Sequence, residues 1–201
     1  MVISHQHRFI FIKTVKTAGT SIEVFLSPHC AASDIFTPIQ PPHEGHEPRN
    51  FGKFYNHFSA WGVRNAVSAD VWNGYYKFCV ERNPWDKTVS DYSMIRHRIG
   101  PALTFADYLA KRRFCRSWEL YTDMDNRTLL VDRVIRYENL DQELGELFGK
   151  LGVPWNGSLG VFAKSGYRTE RKPYQDWYSE EQRDLIAQVF SDEIREFAYE
   201  F

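Results

Sequence analysis

The stretch "FIFIKTVKTAGTSIEVF", residues 9–25, sets a short apolar run against a polar loop with two lysines and one glycine, then returns to helical spacing. Residues 9–12 predict a buried strand, because a continuous apolar run beside a turn-like segment suits the middle of a parallel sheet. A helix is expected from about Thr20: Thr20 and Glu23 have the S/T-x-x-E spacing of a capping box, and Ile22, Phe25 and Leu26 share one face. The loop from Lys13 to Gly19 therefore joins a strand to a helix N-terminus, where unpaired amides and a positive dipole favour an anion. Lys16 adds a full charge. In the ATP-binding pattern G-x-x-x-x-G-K-[ST] the lysine follows the second glycine, whereas Lys16 precedes Gly19 and no glycine opens the loop. The plain alternative is a capped helix with Lys13 and Lys16 solvated.

A second anion site is expected further on. "YYKFCVE" reads as a buried strand and "NPWDKTVSDYSMI" as its helix, with Asn83 the cap and Pro84 the first helical residue. Arg82 closes the strand, and Ser90 lies eight residues on. Asn83, Asp86 or Lys87, and Ser90 share a helical face, so Arg82 and Ser90 can converge on one anion. The competing reading pairs Arg82 with a carboxylate and turns Ser90 onto its own helix. Two such sites at the carboxyl ends of strands fit the crevice where open α/β sheets bind ligands.

The remainder supplies the frame. Residues 27–56, rich in Pro, His and Gly, show no period and read as an ordered excursion or a flexible flap. A helix is expected from Ser59 through Val67, strands at "TLLV" and "VIRYE", and a helix over "NLDQELGELFGKLGVP" that stops at Gly152 and Pro154. The last helix begins near Ser179, with Gln182 completing a capping box, and runs to about Ala198. Strands alternating with helices predict an α/β fold whose mostly parallel central sheet is flanked by helices.

With 201 residues, 43% of them hydrophobic, the chain suits a single domain over 1–201. Its net charge of -1 gives no overall pull toward nucleic acid or membrane. Three scattered cysteines, Cys30, Cys79 and Cys115, argue against a disulfide framework or a zinc site and for a reducing, cytoplasmic setting. The N-terminus has neither a signal-peptide core nor a membrane span. His5 with His7, and His43 with His46, lack the spacing of a zinc helix, so no metal is expected.

"VKTAGTS", "VERNPWDKTVSDY", "VIRYENL" with its helix and "LGVP", and the basic "YRTERKPY" occur in an order that resembles sulfotransferases using 3′-phosphoadenosine 5′-phosphosulfate (PAPS). The likeness covers most of the chain and is nearest the carbohydrate-type branch, as a soluble, bacterial-like member. It implies a three-layer, P-loop-NTPase-like fold. It also implies that Thr17, Gly19, Thr20 and Ser21 wrap the 5′-phosphosulfate with Lys16 the key lysine, and that Arg82 and Ser90 hold the 3′-phosphate. Arg168 and Lys172, with Arg171 beside them, resemble the family's late basic loop over the nucleotide. The chain departs from the pattern at Val15, where proline is usual, and at Glu81, where an apolar residue is frequent.

The implied chemistry moves a sulfuryl group from PAPS to a hydroxyl of a saccharide or polysaccharide. Lys16 would stabilise charge on the leaving oxygen. His57 in "YNHFSAWGVR" resembles a catalytic histidine of some carbohydrate sulfotransferases and is the expected base; the alternative is a histidine packed beside Phe58 and Trp61. Rival readings are an ATP- and magnesium-dependent kinase, against which the missing spacing counts, and a nucleotide-binding module whose catalysis has lapsed.

Overall fold

The apolar run at 9–12 lies in the middle of a five-stranded sheet in the computed structural model, which describes residues 1–161, 165–170 and 172–201. The strands are β1 (Val2–Ser4), β2 (Phe9–Ile12), β3 (Ile35–Phe36), β4 (Tyr76–Glu81) and β5 (Arg133–Arg136), in the order β3-β1-β2-β4-β5. β2, β4 and β5 run parallel, but β1 is antiparallel to both β2 and β3. The sheet is mixed, which corrects the expectation of a mostly parallel one. The cause is local: only the turn residues from His5 to Arg8 separate β1 from β2, enough for a reversal and far too few for a parallel crossover.

The helices are α1 (Gly19–Leu26), α2 (Ala60–Ala66), α3 (Ala69–Gly74), α4 (Pro84–Ile99), α5 (Phe105–Ala110), α6 (Trp118–Tyr121), α7 (Leu140–Leu151), α8 (Glu180–Val189) and α9 (Ser191–Phe197). The chain divides into two compact units, Met1–Glu81 with Ser117–Ala163, and Arg82–Arg116 with Lys164–Phe201. The first contains the whole sheet. Phe9 and Phe11 of β2, Phe78 and Val80 of β4, and Ile135 of β5 form one sheet face in a core with Ile22 and Leu26 of α1 and Leu144, Leu147 and Phe148 of α7. Ile10, Ile12 and Cys79 on the opposite face are equally buried, which explains the unbroken apolar run.

Expected signals at several ends are present. Ser59 accepts from the Gly62 amide at 3.1 Å, and Asn83 from that of Trp85 at 3.1 Å, with Pro84 first in α4. α7 stops at Gly152, whose φ of 68° is the left-handed cap that glycine takes without strain. Ser179 and Gln182 form the capping box of α8. Two expectations fail. "TLLV" is no strand and makes a single bridge, Leu129 to Thr122. The last helix breaks at Phe190, whose φ and ψ of -105° and 28° leave the helical region, giving α8 and α9. Residues 27–56 contain β3 and are tied down by Arg49, which donates to the carbonyls of Ser27, Cys30 and Ala31.

Candidate functional site

The loop after β2 is built by its own hydroxyls. Thr14 donates to the Val80 carbonyl of the neighbouring β4, and Thr17 lies 2.7 Å from Thr14 Oγ1. Thr17 is fully buried, and its hydroxyl also donates to the Thr14 carbonyl at 3.3 Å. The Val15 amide donates to Ser117 Oγ at 3.0 Å, a bond that proline could not make. The departure at Val15 therefore carries a tether. Lys16 and Ala18 hold φ angles of 61° and 60°, uncommon for side-chain-bearing residues and concentrated where backbone strain often marks function.

α1 starts at Gly19 with Ala18 as its cap, and no side chain caps it. The expected box of Thr20 and Glu23 is thus absent: Thr20 lies inside the first turn, and Glu23 faces the core. There Glu23 is wholly buried, 2.5 Å from the Lys13 ammonium, and accepts from the Met1 amine. Burial works to raise its carboxyl pKa, but the Met1 amine and Lys13 hold it below the usual range. Burial lowers that of Lys13, against the pull of Glu23. Lys13 is neutralised by this pair, so the loop's anion-directed charge falls to half-buried Lys16. The Gly19, Thr20 and Ser21 amides precede the first intrahelical bond, Ile22 N–H to the Ala18 carbonyl at 3.1 Å. Gly19 is required by space: a Cβ there would lie 2.6 Å from Lys13 Cγ. Gly19→Ala is expected to push Lys13 off Glu23 and lose about 1–3 kcal/mol, measured by urea unfolding.

His57 stands beside the same loop. It is the third residue of a tight turn closed by the Phe58 amide on the Tyr55 carbonyl at 3.2 Å, with φ 61°. Its Nδ1–H donates to the Lys13 carbonyl at 3.0 Å, which fixes the tautomer and leaves the Nε2 lone pair to accept a proton. Burial pushes its pKa down to about 4, against the Lys13 hydrogen bond. The imidazole is therefore neutral above about pH 5. Because the folded pKa lies below the ordinary 6.5, the unfolded chain binds the proton first, and stability falls as pH drops from 6.5 toward 4. The full shift corresponds to about 3 kcal/mol. In His57→Asn, asparagine tolerates positive φ, and urea midpoints measured from pH 7 to 4 should fall less steeply than those of the parent.

The other predicted residues lie in the second unit. Buried Arg82 forms a two-pronged bond to Asp86, Nε at 2.8 Å and Nη2 at 2.6 Å from Oδ2. Arg168 reaches the other oxygen of Asp86 at 2.8 Å and donates to the Lys172 carbonyl at 2.7 Å. Ser90 follows Asp86 by one helical turn on α4. One carboxylate thus gathers two arginines on the helical face that carries Ser90. Arg168 Nε is buried without an acceptor, a donor still to be satisfied. Lys172 points elsewhere, 4.1 Å above the Trp177 ring and 3.9 Å from Glu170. Arg171 lies outside the described residues.

The predicted residues therefore fall into two groups: Lys16, Thr17, Gly19, Thr20, Ser21 and His57 in the first unit, and Arg82, Ser90, Arg168 and Lys172 in the second. β2 and β4 are parallel neighbours, and the chain leaves β4 directly into Arg82. Glu81 is buried and accepts from the Tyr121 hydroxyl at 3.1 Å. Sequence reasoning missed the Ser117 tether, 102 positions away; the competing reading that pairs Arg82 with a carboxylate is met by Asp86, at i,i+4 spacing.

Among the described residues, no three His, Cys, Asp or Glu side chains gather as a metal site, and no helix is long and apolar enough to cross a membrane. No protein-family model matches the chain. Its fold is similar to that of the mouse sulfotransferase SULT7A1 crystallised with PAP: TM-score 0.53 and 15% identity, over 96% of this chain and 86% of that one. An uncharacterized protein of Archaeoglobus fulgidus is 34% identical over 99 residues, 47% of this chain and 82% of its own length. At that identity and coverage, the chain belongs to the family of this Archaeoglobus fulgidus protein.

Proposed function

We propose that residues 1–201 act as one PAPS-dependent sulfotransferase domain that transfers a sulfuryl group to a hydroxyl, in the cytoplasm, with a carbohydrate as acceptor. The observation that carries this reading is the second anion cluster: Arg82 and Arg168 share Asp86 one turn before Ser90. ATP has no 3′-phosphate to occupy such a cluster, whereas PAPS does. The fold shared with a PAP-bound sulfotransferase supports the same reading.

In the proposed reaction the acceptor oxygen forms a bond to sulfur while the bond from sulfur to the bridging phosphate oxygen breaks. His57 Nε2 takes the hydroxyl proton, and Lys16 with the first amides of α1 receives the charge developing on the bridging oxygen. PAP and the sulfate ester are the products. Arg82, Ser90 and Arg168 hold the 3′-phosphate, Lys172 borders the nucleotide, and residues 27–56 border the acceptor. Cys30, Cys79 and Cys115 form no disulfide, as a reducing setting would leave them.

The test is a screen of acceptors with sulfur-labelled PAPS. Label should pass to a saccharide with no added metal. A protein that binds PAPS but labels no hydroxyl acceptor would contradict the reading.

A further inference from the structure

In a chain of net charge -1, residues 82–116 of the second unit carry eight Lys and Arg against three Asp and no Glu. Four of these bases are engaged. Arg82 is held by Asp86, Arg96 meets Glu170 at 3.3 Å, Arg116 turns to Asp192 at 3.6 Å, and Lys87 is wholly buried. Three of the others are consecutive. Lys111, Arg112 and Arg113 are all exposed, and none forms an ion pair or side-chain hydrogen bond with another described residue. Asp107, whose field Lys111 enters, is already taken up by the Thr104 hydroxyl at 2.6 Å.

The backbone singles out the middle one. α5 ends in a turn closed by the Arg112 amide on the Leu109 carbonyl at 3.1 Å, and Arg112 holds φ 50°. Glycine takes this left-handed position after a helix without strain, whereas a residue with a Cβ does not. Arg112 therefore stands where glycine would be easier, and its guanidinium binds nothing among the described residues in return. That combination points to a partner outside the chain.

Three adjacent cations suit an anion that repeats along a polymer. The next ring in the chain, Phe114, turns in against Phe190 at 6.5 Å, and Cys115 is buried. The segment thus offers a nucleic-acid base no ring to stack on and a bilayer no apolar side chain to insert. A guanidinium fork matches two oxygens of a tetrahedral ester anion. We propose that Lys111, Arg112 and Arg113 form a docking surface for a sulfated polysaccharide, the polymeric product of the proposed transfer. The choice of a sulfate ester among polyanions rests on the sulfotransferase reading; the surface itself is testable without turnover.

Fluorescent dextran sulfate, unsulfated dextran, duplex DNA and phosphatidylserine vesicles would be titrated against the whole chain, and adenosine 3′,5′-bisphosphate separately by calorimetry. Dextran sulfate should bind, more weakly as salt rises, and unsulfated dextran should not. With Lys111→Gln, Arg112→Gln and Arg113→Gln combined, its affinity should fall at least about tenfold and depend less on salt. Melting temperature and bisphosphate affinity should hold in that variant, because all three side chains are exposed. Arg112→Gly alone should keep the melting temperature, glycine being unstrained there, and still weaken dextran sulfate. No binding of dextran sulfate by the parent, or equal binding by the triple variant, would overturn the surface. Duplex DNA or vesicles bound more tightly than dextran sulfate would overturn the assigned partner. Dextran sulfate binding that needs the three residues, in a protein that binds no bisphosphate, would keep the surface and contradict the sulfotransferase reading instead.

Discussion

Lys16→Ala is expected to lower sulfuryl transfer by about 100- to 1,000-fold, roughly 3–4 kcal/mol of barrier, while the protein stays folded. The size follows from the loop's electrostatics. Lys13 is already spent on Glu23, so no second ammonium of the loop can take over. Lys16 lies half-buried on a left-handed backbone, outside the apolar core, so its loss opens no cavity. Binding of adenosine 3′,5′-bisphosphate, which lacks the sulfuryl group, should fall far less than turnover. That split distinguishes a transition-state role from simple charge attraction. Turnover near that of the parent would remove Lys16 from the chemistry.

Arg82→Met should erase the preference for adenosine 3′,5′-bisphosphate over AMP. A charge-assisted bond to phosphate is worth about 1.5–3 kcal/mol, so bisphosphate affinity is expected to fall about 10- to 100-fold with AMP unchanged. The fold should survive because Asp86 keeps Arg168 at 2.8 Å and is not itself left unpaired. Calorimetric titration of both ligands against both proteins reads the result. An equal loss for AMP would mean that Arg82 serves only the architecture of α4.

What the sequence disclosed and what it concealed divide along a physical line. The strand at 9–12, the cap at Asn83 and Pro84, and the box at Ser179 and Gln182 are written within a few residues of where they act, and each is present. Thr20 and Glu23 show the limit of that reading. The spacing that suggests a capping box also lets Glu23 face inward, and its partners, Lys13 and the Met1 amine, come from outside the helix. β1 and β3, three and two residues long, are too short to show a period. The candidate site was legible in its charges and its glycine. Its supports were not, because the Thr14 bond to Val80 and the Ser117 tether to Val15 are long-range contacts without a local pattern.

The central claim is that the chain holds a 3′-phosphate as well as a 5′-phosphosulfate. The most direct measurement compares the melting temperature with saturating adenosine 3′,5′-bisphosphate, AMP, and ATP with magnesium, since a ligand bound only by the folded state raises it in proportion to the logarithm of its affinity. The bisphosphate should give by far the largest rise, with AMP and ATP well below it. Equal rises for the bisphosphate and AMP, or a larger one for ATP with magnesium, would contradict the account.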